Sequence, residues 1–594
     1  MPTLFCSLLL VAAGVSATGA AAPPPDPAAG GVTPLDRVLP APASVRPGGA
    51  PFTLRPGARI RVPNYSPAAR KAGEYLAGVL RPATGYALPV TSAGERDGDI
   101  LLRLGGESRG SGGPGTGSGG AGTDGSTAGS DGPGSGGPGS DRPGSDRPGS
   151  GSPGSGGSAS GSAAAGAGAA AATGAAEDLG DEGYRLDSSR AGVAISARTA
   201  TGLFHGIQTL RQLLPAAVER QARQPGPWKV AGGTITDAPR FAYRGAMLDV
   251  SRHFFTVEQV KRYIDQMALY KLNKLHLHLS DDQGWRIAID SWPRLATYGG
   301  STQVGGGRGG HYSKRDYREI VRHAADRHLE VVPEIDMPGH TNAALASYAR
   351  LNCDGVAPPL YTGTEVGFSS LCVPKAVTYD FVDDVVRELA AMTPGRYLHI
   401  GGDEAHSTPH EDYVAFMDRA QRTVAEYGKT VVGWHQLTGA KPADGAVAQY
   451  WGTTGTEKEV VDAAKAGTRM VLSPANRAYL DMKYTKDTPL GLSWAGYVEV
   501  RQSWDWDPGR YLQGVPESAV FGVEAPLWSE TLTTSDHIEF MAFPRLPGIA
   551  ELGWSPAATH DWEAYRKRLA AQAPRWAELG IDYYRSPQVP WPAE

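Results

Sequence analysis

Downstream of about residue 241 the hydrophobic pattern alternates between two periods. Short apolar runs, "YRGAMLDV", "KLHLHLS", "LEVVPEID", "YLHIGGDE", "TVVGWHQ", "AVAQYWG", "RMVLSP" and "VFGVEAP", are the length of strands and are bounded by turn residues. Between several of them lie segments such as "SKRDYREIVRHAADRH" and "AVTYDFVDDVVRELAAM", whose apolar residues recur at helical spacing. Eight strand-like runs with helical segments between them predict a catalytic (β/α)8 TIM barrel of the α/β class over residues 241–580.

The upstream pattern is different. Over residues 32–236 helical periodicity appears near "ARKAGEYLAGVL" and "ATGLFHGIQTLRQLLP", while "GDILLRL" and "GYRLDSSRAGVAISA" read as strands, the latter a hairpin about "SSRAG". These elements predict a smaller α+β domain. It is interrupted at residues 105–176 by Gly, Ser, Pro, Ala and Asp in near-repeats such as "GSDRPGSDRPGS". Such a stretch has too little apolar surface to offset the entropy of ordering, so a disordered insertion is expected. Residues 1–22 carry a short apolar core from Leu4 to Val15 and small residues at Ala20–Ala22, which read as a signal peptide. A secreted, extracellular protein is expected. No later stretch approaches the roughly 20 apolar residues of a membrane span.

Composition narrows the partners. The 57 basic and 62 acidic residues are dispersed and the net charge is -5, so no basic stripe suits a phosphate backbone and nucleic acid is not expected. Of 3 cysteines, Cys6 leaves with the signal, and Cys353 and Cys372 remain as an even pair in an oxidising compartment. One disulfide is expected, two free buried thiols being the alternative.

The candidate chemistry collects at the C-terminal ends of the predicted strands, where barrels of this type place their reaction centres. Asp249 and Arg252 follow the first run, Asp281 and Asp282 the second, Asp336 and His340 the third, and Asp403 and Glu404 the fourth. Trp434 follows the fifth, Trp451 the sixth, Tyr479 and Asp481 the seventh, and Trp528 and Glu530 the eighth. In "HIGGDEAH" two glycines precede adjacent acids, which face opposite ways on a regular strand and serve one ligand only where the chain leaves it. His276 and His278 share a strand face and, with His340, His399, His435 or Asp403, offer a metal-hydrolase reading. Histidines hydrogen-bonded inside the barrel are the preferred one. A mouth of Trp, Asp, Glu and Arg suits a carbohydrate, whose C–H faces pack on aromatic rings and whose hydroxyls take charge-assisted hydrogen bonds.

These motifs together resemble the family 20 glycoside hydrolases, the β-N-acetylhexosaminidases of secreted bacterial type. "RGAMLDVSRHFF", "KLHLHLSDDQGWR", "PEIDMPGHT", "HIGGDEAH", "VVGWHQ", "AYLDMKY" and "LWSE" follow the family order from Arg244 to Glu530, and "GLFHGIQTLRQLLP" resembles a helix of its N-terminal domain. The resemblance implies an exo-acting, retaining enzyme in which the substrate's own 2-acetamido oxygen is the nucleophile. It implies that Asp403 holds the acetamido N–H and that Glu404 is general acid, then base, with Asp281 and His340 beside it. It also implies that Tyr479 orients the acetamido carbonyl, that Trp434, Trp451 and Trp528 enclose the sugar, and that Arg252, Asp481 and Glu530 hold its hydroxyls. Trp494 is expected to stack on the next unit. Chitobiose, chito-oligosaccharides and other N-acetylhexosaminides are the implied substrates, with no cofactor and no metal. A barrel that binds sugar without cleaving it is the other alternative.

Overall fold

The structure is a computed structural model that describes residues 32–63, 66–92, 94, 96–105 and 179–593. The predicted signal peptide and nearly all of the predicted insertion lie outside these residues.

Residues 44–237 build a 7-stranded sheet. Strand Asp99–Leu104 runs parallel to Gly192–Ala197, so the chain on either side of the insertion belongs to one sheet. The hairpin about "SSRAG" forms, pairing Tyr184–Ser189 antiparallel with Gly192–Ala197. Helices Pro67–Thr84 and Ala200–Leu213 pack on this sheet through Leu76, Leu80, Leu203, Ile207 and Leu210, all fully buried.

Eight parallel strands close the second unit into a barrel: Tyr243–Asp249, Lys274–His278, Glu330–Glu334, Tyr397–His399, Thr430–Trp434, Val447–Tyr450, Arg469–Leu472 and Val520–Leu527. Each coincides with one of the eight apolar runs. The first strand pairs with both the second and the eighth, which removes the sheet edges. Helices Val257–Leu269, Lys314–Asp326, Ala376–Met392 and His410–Glu426 cover the outside, and Thr256 and Ser313 cap the first two in capping boxes. The seventh strand departs from strict alternation. The chain runs through residues 473–499 without a regular helix and so lays Tyr479, Asp481 and Trp494 across the barrel mouth. Among the described residues no helix is long and apolar enough to cross a membrane.

Candidate active site

The fourth strand is only three residues long, and the chain leaves it abruptly. Gly401 and Gly402 have φ of 65° and 97°, in the region that favours glycine. A Cβ at Gly401 would fall 1.7 Å from Asp336 Oδ1, so space as well as backbone angle requires glycine there. Asp336 Oδ1 accepts the Gly402 N–H at 3.0 Å, and the Gly402 carbonyl accepts the Tyr413 hydroxyl at 2.8 Å. Glu404 itself has φ 44°, a conformation that costs a residue with a side chain about 1–2 kcal/mol. Strand alternation is thereby broken, and both acids reach one ring. His340 Nε2 lies 3.9 Å from Asp403 Oδ2 and 3.4 Å from Glu404 Oε2.

The adjacent acids occupy unlike surroundings. The Asp403 side chain is 10% exposed and that of Glu404 29%. Burial pushes the Asp403 carboxyl up to about 6, His340 opposes that rise and Glu404 adds to it. Burial, with the Asp403 carboxylate beside it, also raises the Asp336 carboxyl well above its ordinary value. Burial alone would discharge His340, but Asp281, Asp403 and Asp336 outweigh it and keep the ring cationic.

Behind His340, Asp281 Oδ1 meets its Nδ1 at 3.2 Å, while Asp281 Oδ2 meets His278 Nε2 at 2.7 Å and Arg252 Nη1 at 2.9 Å. Against the cost of burial, these cations hold Asp281 ionised. The Arg252 guanidinium also lies 4.7 Å from the Trp528 ring centroid, and its Nη1 is 3.6 Å from Asp249 Oδ2.

An aromatic cup faces these charges. Trp434, Tyr479 and Trp528 form a buried cluster with Met247 and Met482 that is separate from the main core, with Trp451 packed against it. Trp434 and Trp528 centroids are 5.7 Å apart, Tyr479 is 6.2 Å from Trp528, and Trp451 and Tyr479 each meet Trp494 edge-on at 5.9 Å. Trp494 is the rim of the cup, 55% exposed. Asp481 is buried and Glu530 beside it half-buried, and desolvation raises both. Buried atoms of the site without a hydrogen-bond partner include Asp403 Oδ1, His340 Nε2, Arg252 Nε, Trp434 Nε1, Asp481 Oδ2 and Glu530 Oε2. Buried polar atoms are normally paired, and a ligand rich in hydroxyl and amide groups would satisfy these.

All twelve candidate catalytic and binding residues therefore come together at the C-terminal mouth. His276 and His278 lie beneath it, inside the barrel. Glu334, His276 and His399 offer ligand atoms within 4.8 Å of one another, but both nitrogens of His276 and both of His278 face carboxylate oxygens as hydrogen-bond partners. A metal ion would have to displace those contacts, which is why the hydrogen-bonded reading suits these histidines. Sequence reasoning passed over Glu334 and Glu524, acids embedded in apolar strands. Their signal is an acid within an otherwise apolar run, placed where a neighbouring strand carries histidine.

The expected disulfide joins Cys353 to Cys372, with Cα atoms 4.9 Å apart. Its loop leans on the acid turn. A Cβ at Gly367 would meet His406 Nδ1 at 2.4 Å and the Glu404 carbonyl at 3.2 Å. The Ser369 hydroxyl donates to Asp282 Oδ1 at 2.6 Å and accepts the Thr341 N–H at 2.9 Å, so the loop braces the His340 turn as well.

Residues 241–557 match the profile "Glycosyl hydrolase family 20, catalytic domain", and residues 36–238 match "Glycosyl hydrolase family 20, domain 2". The chain is 45% identical to a beta-N-acetylhexosaminidase of Cellulomonas fimi over 70% of its own length and 83% of that protein. Among solved structures it is similar to the GH20 beta-N-acetylhexosaminidase of Streptomyces coelicolor A3(2), with 64% identity, TM-score 0.81 and coverage of 94% of this chain and 100% of that one. It is equally similar to a mutant Streptomyces plicatus beta-hexosaminidase in complex with product GlcNAc, with 64% identity, TM-score 0.80 and coverage of 94% and 99%.

Proposed function

The chain belongs to glycosyl hydrolase family 20 and is a glycoside hydrolase of β-N-acetylhexosaminidase type, and on that premise we propose how its own residues perform the reaction. The substrate carries a terminal β-linked N-acetylglucosamine or N-acetylgalactosamine, as in chitobiose and chito-oligosaccharides. Its 2-acetamido oxygen attacks the anomeric carbon, forming a C–O bond as the glycosidic C–O bond breaks, and Glu404 gives its proton to the departing oxygen. Water then attacks the anomeric carbon and gives its proton to Glu404 as the bond between that carbon and the acetamido oxygen breaks, which restores the acetamido group and retains the configuration.

The observation that carries this reading is the turn that brings two adjacent acids to the same side in unlike surroundings. Asp403, buried beside the aromatic cup with one oxygen unpartnered, suits the acetamido N–H and the positive charge that develops on that group. Glu404, more open, suits an aglycone and then a water. Tyr479 donates to the acetamido carbonyl. Trp434, Trp451 and Trp528 exclude water from the methyl group and ring. Arg252, Asp481 and Glu530 hold the hydroxyls, and Trp494 stacks on the next sugar. The apolar leader and the disulfide support an extracellular site of action. There the enzyme would remove terminal units from chitin fragments.

Chitobiose hydrolysis followed by proton NMR tests the assignment. The first product should be the β anomer of N-acetylglucosamine, and the analogue with hydroxyl in place of acetamido should remain intact. Equal cleavage of that analogue, or a glycosyl ester trapped on a carboxylate, would overturn it.

A further inference from the structure

The charged groups behind the mouth do not stop at Asp281. Glu334 ends the third barrel strand and has no exposed surface. Its Oε2 faces His276 Nε2 at 2.9 Å and His278 Nδ1 at 2.5 Å, and its Oε1 faces His399 Nδ1 at 2.9 Å. The second nitrogen of His276 meets Glu524 Oε1 at 2.8 Å, and that of His278 meets Asp281 Oδ2 at 2.7 Å. An imidazole with a carboxylate oxygen at each nitrogen can donate to both only when it carries two protons.

The order Glu524, His276, Glu334, His278, Asp281, His340 therefore alternates anion and cation from the barrel interior to a point 3.4 Å from Glu404 Oε2. The other groups facing the row fit this pattern. Tyr243 and Gln449 donate to Glu524 at 2.6 and 2.7 Å, and Arg252 reinforces Asp281. Burial lowers His399, which disfavours its cation, and burial beside Asp403 raises Asp336, which disfavours its anion.

We propose that Glu334 is a positioning residue for the general acid: by holding the His276 and His278 rings doubly protonated, it pins one oxygen of Asp281 and leaves the other to orient His340 against Glu404. The proposal rests on the reaction assigned above and extends it to a residue that touches no substrate. Without the Glu334 charge the His276 and His278 rings release a proton each, in a site of low dielectric constant where salt screens little. His278 then no longer pins Asp281, and the His340 ring that orients Glu404 loses its anchor.

Glu334→Gln keeps the shape and removes the charge. The basic limb of kcat/KM should move by about half a unit or more. Turnover of chitobiose, whose leaving group needs a proton, should fall about tenfold further than turnover of a nitrophenyl glycoside, whose leaving group departs as the anion. An equal fall on both substrates with an unmoved basic limb would reduce Glu334 to structural support and overturn the proposal. Should the variant not fold, neutron diffraction from the unaltered protein decides. Deuterons on both ring nitrogens of His276 and His278 are expected, and a single deuteron on either ring overturns the proposal. Failure of the assigned reaction is distinct, since the unaltered protein would then release no N-acetylglucosamine.

Discussion

Two regions of this molecule bury charge completely, and they do so by different means. At the seam between the sheet domain and the barrel, Lys271 Nζ lies 3.2 Å from Asp237 Oδ2, neither exposed, with the Tyr184 hydroxyl donating to the same oxygen at 2.8 Å. Nearby, Glu219 is gripped by Arg211 at 2.6 Å and by Arg575, whose second amino group donates to the Leu214 carbonyl at 2.8 Å. Along the barrel axis the cations are instead imidazoles, and the row opens at one end onto atoms of the barrel mouth that lack hydrogen-bond partners. Lysine and arginine in closed pairs fix one domain on the other. Histidines in an open row can exchange protons with a reacting group. Burial of charge is thus common to both regions, and titratability together with an unsatisfied end is what separates chemistry from masonry.

Substitutions at each region break or sharpen this contrast. The largest effect belongs to Glu404→Gln, expected to lower turnover of an unactivated disaccharide about 1,000-fold while the melting temperature holds, as steady-state rates and calorimetry would show. At the seam the pattern should invert: Lys271→Met strands the Asp237 charge and should cost about 3–5 kcal/mol in denaturant unfolding, with the pH profile of activity unchanged. A shifted profile there would erase the contrast. Replacing Cys353 and Cys372 by serine releases a loop of 19 residues, at a cost of about 3 kcal/mol. It should also slow chitobiose turnover a few-fold, because that loop braces the turns bearing Glu404 and His340. The remaining effect is on pH. Burial raises Asp403 to about 6, so its proton-binding form gains below that value, the acetamido N–H loses its acceptor, and kcat/KM should fall about tenfold per unit on the acid side.

Much of this was legible in the order of residues. Short apolar runs bounded by turn residues marked all eight barrel strands, and the acids, arginine and tryptophans at their ends marked the mouth. The paired glycines of "HIGGDEAH" announced the break at the fourth strand because φ above zero is cheap for glycine; the same φ at Glu404 left no trace, since nothing in a glutamate advertises it. Glu334 was hidden for a different reason. One carboxylate in "VVPEID" becomes meaningful only when strand register sets it opposite His278, and register is a property of two distant segments. The seam escaped similarly. Glu219 and Arg575 are separated by 356 positions, and no local pattern links them.

The left-handed backbone at Glu404 has a practical consequence for engineering. A glycine at that position would adopt φ 44° at no steric cost, and an asparagine at reduced cost, so the change that abolishes the acid also relieves the chain. Selection of libraries for heat tolerance alone would therefore enrich inert proteins at position 404, and a directed-evolution scheme for this barrel must score turnover in every round.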